Sequence, residues 1–314
     1  MAKTLEYNAT LSKRIDLTDS LAIFEITPDQ PLPEGESWFT PGQYIVLGLN
    51  NEENVELGAV QRPMSIASAC QDTDKVEFYI RYVSKPASKN PLTHLLWKIQ
   101  EGERVFIRSK PKGKFTIEDT VGSEDSRLKI FVSAGTGLAP FVSIVRSYRL
   151  RNPGGDLGNF AILHGASYPI ELGYRDELQS WAADEGLNYI STISRPAEAP
   201  DWSGVTGRVE DLFLEERLLK LESTLGLEPG GLRPDRALIY ICGLQGTIGC
   251  TIERLLDRGF VPDDRRIRRV MEVPAEVEAS TFFEQYDSDP VIDLKDEEKI
   301  AGLKRRMQEG LSGG

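Results

Sequence analysis

The chain has 314 residues, 40% hydrophobic and 27% charged, with 49 acidic against 37 basic side chains and a formal net charge of −12. That length accommodates about two domains with separate cores, and the composition is that of a globular protein, not a disordered one. The acidic balance argues against nucleic acid as the main partner, because a phosphate backbone demands clustered cations. No apolar run reaches the length that spans a bilayer, and no apolar leader follows Met1. Cys70, Cys242 and Cys250 are too few for a disulfide framework, a structural zinc site or a four-cysteine iron–sulfur cluster. With His94 and His164 the only histidines, no metal centre is expected, and a reducing, cytoplasmic setting is.

Taken in order, the first part of the chain is a series of short apolar runs at residues 7–17, 21–26, 44–49, 60–67, 75–83 and 104–107. Pro28, Pro31, Pro33, Gly35 and Pro41 punctuate the connections. Six strands without long helices between them predict an antiparallel barrel or sandwich. One helical piece, 92–99, follows Asn90-Pro91. Inside this region Gln61-Arg62-Pro63-Met64-Ser65 joins a guanidinium that can hold a phosphate in bidentate fashion to a hydroxyl that can donate or accept. Alone, it reads better as a strand with one surface arginine and a polar pleat. Thr93, at the mouth of the helical piece, is either a phosphate ligand or a plain N-cap. Residues 104–114 carry Arg104, Arg108, Lys110, Lys112 and Lys114 and no acid, which is either a patch that steers an acidic partner or a solvated loop.

Past Thr120 the period changes. Apolar runs at 128–134, 160–165, 188–194 and 237–242 alternate with helical stretches at 139–151, 175–185, 208–222 and 247–258, and 266–272 is expected as a fifth strand. Such alternation predicts a parallel sheet covered by helices. Ligands of these sheets sit beyond the carboxyl ends of the strands. The segments expected to line one crevice are therefore Gly135-Thr136-Gly137, His164 to Ser167, Ser194-Arg195 and Cys242-Gly243. Gly135 and Gly137, followed by Ala139 and Pro140 at a helix start, form the strand–turn–helix arrangement that receives an anion such as a dinucleotide pyrophosphate. The spacing is not that of the G-x-G-x-x-G fingerprint, so an ordinary βα turn is the competing reading. Arg195 and Arg208 could serve a ribose 2′-phosphate, although Arg208 also reads as a surface residue at a helix start. His164 reads as structural, and Cys70 and Cys250 as core.

Taken together, Arg62-Pro-Met-Ser65, Asn90-Pro-Leu-Thr93, Gly135 to Pro140, His164 to Tyr168, Ser194-Arg195, Thr206-Gly-Arg208 and Cys242-Gly243 stand in an order and spacing that resembles the ferredoxin–NADP reductase family over roughly residues 6–286. The resemblance implies an all-β antiparallel FAD-binding barrel (1–120), then an α/β domain with a five-stranded parallel sheet that binds NADP(H) (121–286). A charged tail (287–314), helical at 295–309, reads as surface or disorder. It further implies that Arg62 holds the FAD pyrophosphate, with Pro63 and Met64 beside it, and that Ser65 bonds near flavin N5. Tyr79, Ile80, Arg81, Tyr82 and Val83 would run along the ribityl chain and ring, and Pro91, Leu92 and Thr93 would bind phosphate. Gly135, Thr136, Gly137, Ala139 and Pro140 would cradle the nicotinamide dinucleotide, with Ser194, Arg195 and Arg208 at its 2′-phosphate. Cys242 and Gly243 would lie near the nicotinamide, Ser65 and Cys242 being the catalytic pair. Phe282, Phe283 and Tyr286 are the candidates for an aromatic stacked on the flavin.

The chain departs from the family pattern at three positions. Met64 stands where Tyr is usual, Ser167 where bacterial members often carry a further arginine, and Ile248 where plastid-type members have a glutamate. The implied activity is hydride exchange between nicotinamide and flavin N5, with single electrons passing to ferredoxin or flavodoxin. Two other readings stay open: an NADH-dependent reductase component feeding an oxygenase, and a non-catalytic electron-transfer subunit.

Overall fold

Leu11 stands opposite Ile26 across a hairpin, and Ala9, Leu11, Ala22, Phe24 and Ile26 are all buried, because alternate residues of paired strands share one face. A computed structural model describes residues 4–33, 38–286 and 289–312, so Gly35 and the start of the expected tail at Asp287 lie outside the described residues. The chain forms two compact units, Met1–Ser123 with Ala139–Pro153, and Glu124–Leu138 with Gly154–Gly314.

The first unit carries β1 (Ala9–Thr18), β2 (Leu21–Pro28), β3 (Tyr44–Asn50), β4 (Ala59–Ser65), β5 (Val76–Arg81) and β6 (Arg104–Ile107). They form an antiparallel sheet in the order β4-β3-β6-β1-β2-β5. Ile66, just past β4, makes an antiparallel bridge to Phe78 of β5, so the two edge strands meet and the sheet closes on itself. Leu11, Phe24, Ile45, Leu47 and Phe78 fill the interior. Helix α1 (Leu92–Leu96) ends sooner than its sequence pattern predicts, and α2 (Ile117–Thr120) is N-capped by Thr116, whose hydroxyl accepts the Asp119 N–H at 2.9 Å. Helix α3 (Ala139–Arg151) groups with this unit because its polar side chains recur one turn apart and bond into the β4–β5 connection and to β5 itself. Ser143 donates to the Ser68 carbonyl at 2.7 Å, Arg146 pairs with Glu77 at 2.6 Å, and Ser147 accepts the Cys70 N–H at 3.0 Å.

The second unit is built on β7 (Leu128–Ala134), β8 (Phe160–Ala166), β9 (Asn188–Ile193), β10 (Val205–Thr206), β11 (Ala237–Gly243) and β12 (Thr281–Gln285). All pairings are parallel, in the order β10-β9-β8-β7-β11-β12. Helices α4 (Arg175–Asp184), α5 (Glu215–Thr224), α6 (Gln245–Leu255), α7 (Arg265–Val270) and α8 (Glu297–Ser312) complete it. The sheet has six strands, not five, and the expected strand at 266–272 is α7. Asp264 caps it by accepting the N–H groups of Arg266 and Ile267, and Ile267 and Met271, four apart, share the buried face. The last strand is instead the Thr-Phe-Phe-Glu-Gln stretch. Leu214 divides the helix expected at 208–222 into a 3-10 turn (Val209–Phe213) and α5.

The charged segment read as surface or disorder is corrected in the same way. Ile300, Leu303 and Met307 of α8 lie in the core together with Val291 and Ile292, while Lys299 and Lys304 pair outward with Glu253 and Glu272, each at 2.6 Å. The apolar stripe is three residues wide, and the charge density around it concealed it. Among the described residues no helix is long and apolar enough to cross a membrane, and no group of three or more His, Cys, Asp or Glu side chains is placed to hold a metal ion.

Candidate functional site

In the first unit, Arg62 to Ser65 pair with Leu47 to Tyr44 of β3, which sets Ser65 at the carboxyl end of β4. Arg62 and Pro63 are exposed, Met64 is half-buried and Ser65 is buried. The Arg62 guanidinium donates to the carbonyl of its neighbour Gln61 at 2.8 Å, which leaves most of its fork directed to solvent. Tyr79 and Ile80 are buried in β5, while Arg81, Tyr82 and Val83 emerge from the strand end. Val83 ties this end to α1. Its N–H donates to the Thr93 hydroxyl at 3.3 Å and its carbonyl meets the His94 imidazole at 2.8 Å. Tyr82 stacks on His94 with ring centroids 4.5 Å apart.

Pro91 is the N-cap of α1, and Thr93, inside the helix, does not cap it; its hydroxyl accepts from Val83 and keeps a hydrogen to donate. Helix α1 lies against β3 and β4. Asn90 reaches back to the Leu57 and Gly58 carbonyls, each at 3.2 Å. Thus Arg62–Ser65, the end of β5 and Pro91–Thr93, separate in sequence, come to one side of this unit.

In the second unit the chain leaves β7 to β8 on one side, and β11 lies on the other. The carboxyl ends of β7 and β11 therefore flank a topological switch point, where open parallel sheets receive ligands. Gly135, Thr136 and Gly137 turn there. Gly135 has φ +57°, and a Cβ on Gly137 would stand 2.1 Å from the Cys242 carbonyl oxygen. Only a glycine allows this turn to lie on the Cys242–Gly243 backbone. Ala139 and Pro140 follow as buried residues of the first turn of α3.

Cys242 is buried, and burial pushes its thiol well above the ordinary range; the Glu284 charge adds to this and a hydrogen bond with Tyr286 opposes it. The sulfur keeps its proton at neutral pH and is no nucleophile. Tyr286 also donates its hydroxyl to the Thr136 carbonyl at 3.3 Å, and its N–H to the Gly243 carbonyl at 3.3 Å. Of the aromatics near the chain's last strand, Phe282 packs on Tyr240 at 5.0 Å and Phe283 on the helical core, whereas Tyr286 is exposed at the switch point.

Arg195 and Arg208 lie at neighbouring strand ends. Register pairs Thr206 with Ile193, and each arginine stands two residues beyond its strand. Both are exposed. Arg208 faces Glu210 at 3.8 Å. Arg195 donates to the Tyr168 hydroxyl at 2.8 Å and lies over that ring at 5.4 Å, and the same hydroxyl donates to Glu198 at 2.9 Å. Ser194 is exposed, its N–H used by the Ala166 carbonyl. The Tyr168–Glu198 connection escaped the reading of the sequence, since nothing local links those positions. His164 is fully buried, bonded to the Tyr189 hydroxyl at 3.2 Å, with its Nε2 unpartnered among the described residues. Burial depresses its pKa to about 3.

The family model for an oxidoreductase NAD-binding domain matches residues 131–252. Ferredoxin–NADP reductase B of Sorangium cellulosum is 30% identical over 222 residues, 70% of this chain and 80% of its own. A ferredoxin–NADP reductase of Azotobacter vinelandii is 28% identical over 234 residues, 72% of this chain and 79% of its own. Among solved structures, a ferredoxin NADP+ reductase from Neisseria gonorrhoeae with bound FAD and NADP shares the fold at a TM-score of 0.67 and 22% identity, over 88% of this chain and 97% of that one.

Proposed function

The chain belongs to the ferredoxin–NADP reductase family, and we propose that it is an FAD-dependent oxidoreductase exchanging electrons between NADP(H) and an acidic ferredoxin or flavodoxin. The observation that carries the reading is the switch point of the parallel sheet, where the Gly135–Gly137 turn is pressed onto Cys242–Gly243. A turn with no side chain between it and the next strand end lets a ligand's pyrophosphate approach backbone N–H groups closely. Arg195 and Arg208, at the far strand ends, supply cations for a 2′-phosphate.

In the barrel unit the donor set fits a flavin nucleotide. Arg62 offers an exposed fork for the pyrophosphate and Ser65 a buried hydroxyl at the strand end. The end of β5 offers an extended backbone, and Thr93 a hydrogen to donate. When bound, FAD supplies an acceptor of hydride that returns electrons one at a time. The chain's own residues bind and orient: the glycine turn sets the dinucleotide's depth, Cys242 offers a neutral, polarizable wall, and Tyr286 covers the switch point until a nicotinamide takes its place. No side chain is required as acid or base.

The acceptor reading rests on charge. Arg104 is engaged with Asp29, but Arg108, Lys110, Lys112 and Lys114 are exposed and form no ion pair among the described residues. Arg108 and Lys112 bond to β3 at Val46 and Tyr44, which pair on their other side with Pro63 and Ser65 of β4. The cations thus lie two strand spacings, about 10 Å, from the proposed flavin strand. The test is NADPH-dependent reduction of an acidic ferredoxin by the purified chain. Yellow protein that reduces ferredoxin, more slowly as salt is raised, supports the reading, and colourless protein unable to retain added FAD refutes it.

A further inference from the structure

Arg195 is held by a chain of contacts that a simple phosphate site would not need. Its guanidinium is bonded to the Tyr168 hydroxyl and lies over the Tyr168 ring, and that hydroxyl is in turn bonded to the Glu198 carboxylate. Tyr168 therefore sits between a cation and an anion, accepting from one and donating to the other. A second carboxylate, Glu171, accepts the Ser167 N–H at 3.2 Å. The hydrogen bond to Tyr168, and the charges of Glu198 and Glu171, hold the Arg195 guanidinium above its ordinary range. The other arginine, Arg208, faces Glu210. Two cations and three carboxylates thus surround the strand ends where a ribose 2′-substituent would lie.

These charges act in opposite directions on the two nicotinamide nucleotides. A 2′-phosphate is attracted by Arg195 and repelled by Glu198. A ribose 2′-hydroxyl has no charge to offer Arg195, but it donates well to a carboxylate. We propose that Glu198, acting beside Arg195 through Tyr168, is a specificity-determining residue that weakens the preference for the 2′-phosphorylated nucleotide and lets the same site accept the 2′-hydroxyl of NADH. The inference rests on the proposed reading of Arg195 as the 2′-phosphate ligand.

The experiment compares wild type, Glu198→Gln and Arg195→Gln as full-length, FAD-loaded protein. It reads the NADPH:NADH ratio of kcat/KM, and the binding of adenosine 2′-monophosphate by calorimetry. Glu198→Gln is expected to raise the ratio about tenfold and to tighten adenosine 2′-monophosphate binding severalfold, as loss of one nearby like charge does. Glu198→Ala, whose side chain cannot accept from the ribose, should move both in the same direction. A ratio within twofold of wild type in both variants, or a lower one, overturns the inference. Arg195→Gln tests the underlying reading separately: it should weaken adenosine 2′-monophosphate binding at least tenfold. If it does not, the phosphate site lies elsewhere, whatever Glu198 does. If Arg195→Gln weakens binding while the Glu198 variants change nothing, only the present inference fails.

Discussion

Substituting Gly137 by alanine puts a methyl group 2.1 Å from the Cys242 carbonyl oxygen and 2.6 Å from its carbonyl carbon. Both are backbone atoms of a strand held on its two sides by β7 and β12, so neither can swing aside as a side chain would. The turn must retreat by an ångström or more. Overpacking of this kind costs about 1–3 kcal/mol, and the rigid partner places Gly137→Ala near the upper end. For a unit of this size that lowers the melting temperature by roughly 5–10 °C. Gly135→Ala is the internal control: it meets nothing within 4 Å, and its cost comes from φ +57° alone. That is about 1 kcal/mol, or a few degrees. The same displacement moves the proposed pyrophosphate cradle, so Gly137→Ala should also weaken NADPH binding at least tenfold. Calorimetric melting and NADPH titration check both effects. A Gly137→Ala protein as stable as Gly135→Ala, with wild-type affinity for NADPH, would refute the reasoning.

Three further outcomes are expected. His164, with its pKa depressed to about 3 by burial, is neutral when folded and takes a proton on unfolding below its ordinary value of about 6.5. Its contribution is complete above pH 6.5 and lost as pH falls toward 3, by about 1.4 kcal/mol per unit. Urea unfolding at pH 7 and pH 5 should differ by about 2 kcal/mol for wild type and by much less for His164→Gln; equal losses in the two proteins would contradict the assignment. Glu222 is buried and accepts the Gly230 and Leu232 N–H groups and the Arg258 guanidinium, the last at 2.8 Å. Glu222→Ala strands that cation, and the loss expected in urea unfolding is about 3–5 kcal/mol, whereas a loss below 1 kcal/mol would not fit. Deleting α8 from residue 295 onward uncovers the surface beneath Ile300, Leu303 and Met307. At about 2 kcal/mol for each large apolar side chain, the truncated protein should melt many degrees lower, and an unchanged melting temperature would mean that the helix is ornamental.

Much of the architecture was legible because its signals are local. The strands at 128–134 and 104–107 and the helix at 139–151 have the limits that their periodicity predicts, since each begins and ends at a change from apolar run to glycine, proline or charge. The closing bridge from Ile66 to Phe78 was not legible, because strand closure depends on partners distant in sequence. Arg265–Val270 misled because Ile267 and Val270, between arginines, can be read with either period, and the Asp264 cap decided it. Thr281–Gln285 is short and its aromatics are adjacent, so only its pairing to β11, distant in sequence, makes it a strand. Within the candidate site, the glycine turn and Arg195 follow β7 and β9, as the alternation of runs predicts, whereas Arg208 follows the two-residue β10, which is too short to show a period in the sequence. What Arg195 touches could not be read, because Tyr168 and Glu198 reach it only through the fold.

The most direct test of the account is anaerobic mixing of the purified protein with NADPH and with NADH while the visible flavin band is followed. The account predicts a yellow protein that one equivalent of NADPH bleaches fully, with NADH slower yet measurable and slower still in Glu198→Gln. A colourless protein, or a flavin band that neither nucleotide bleaches, would contradict it.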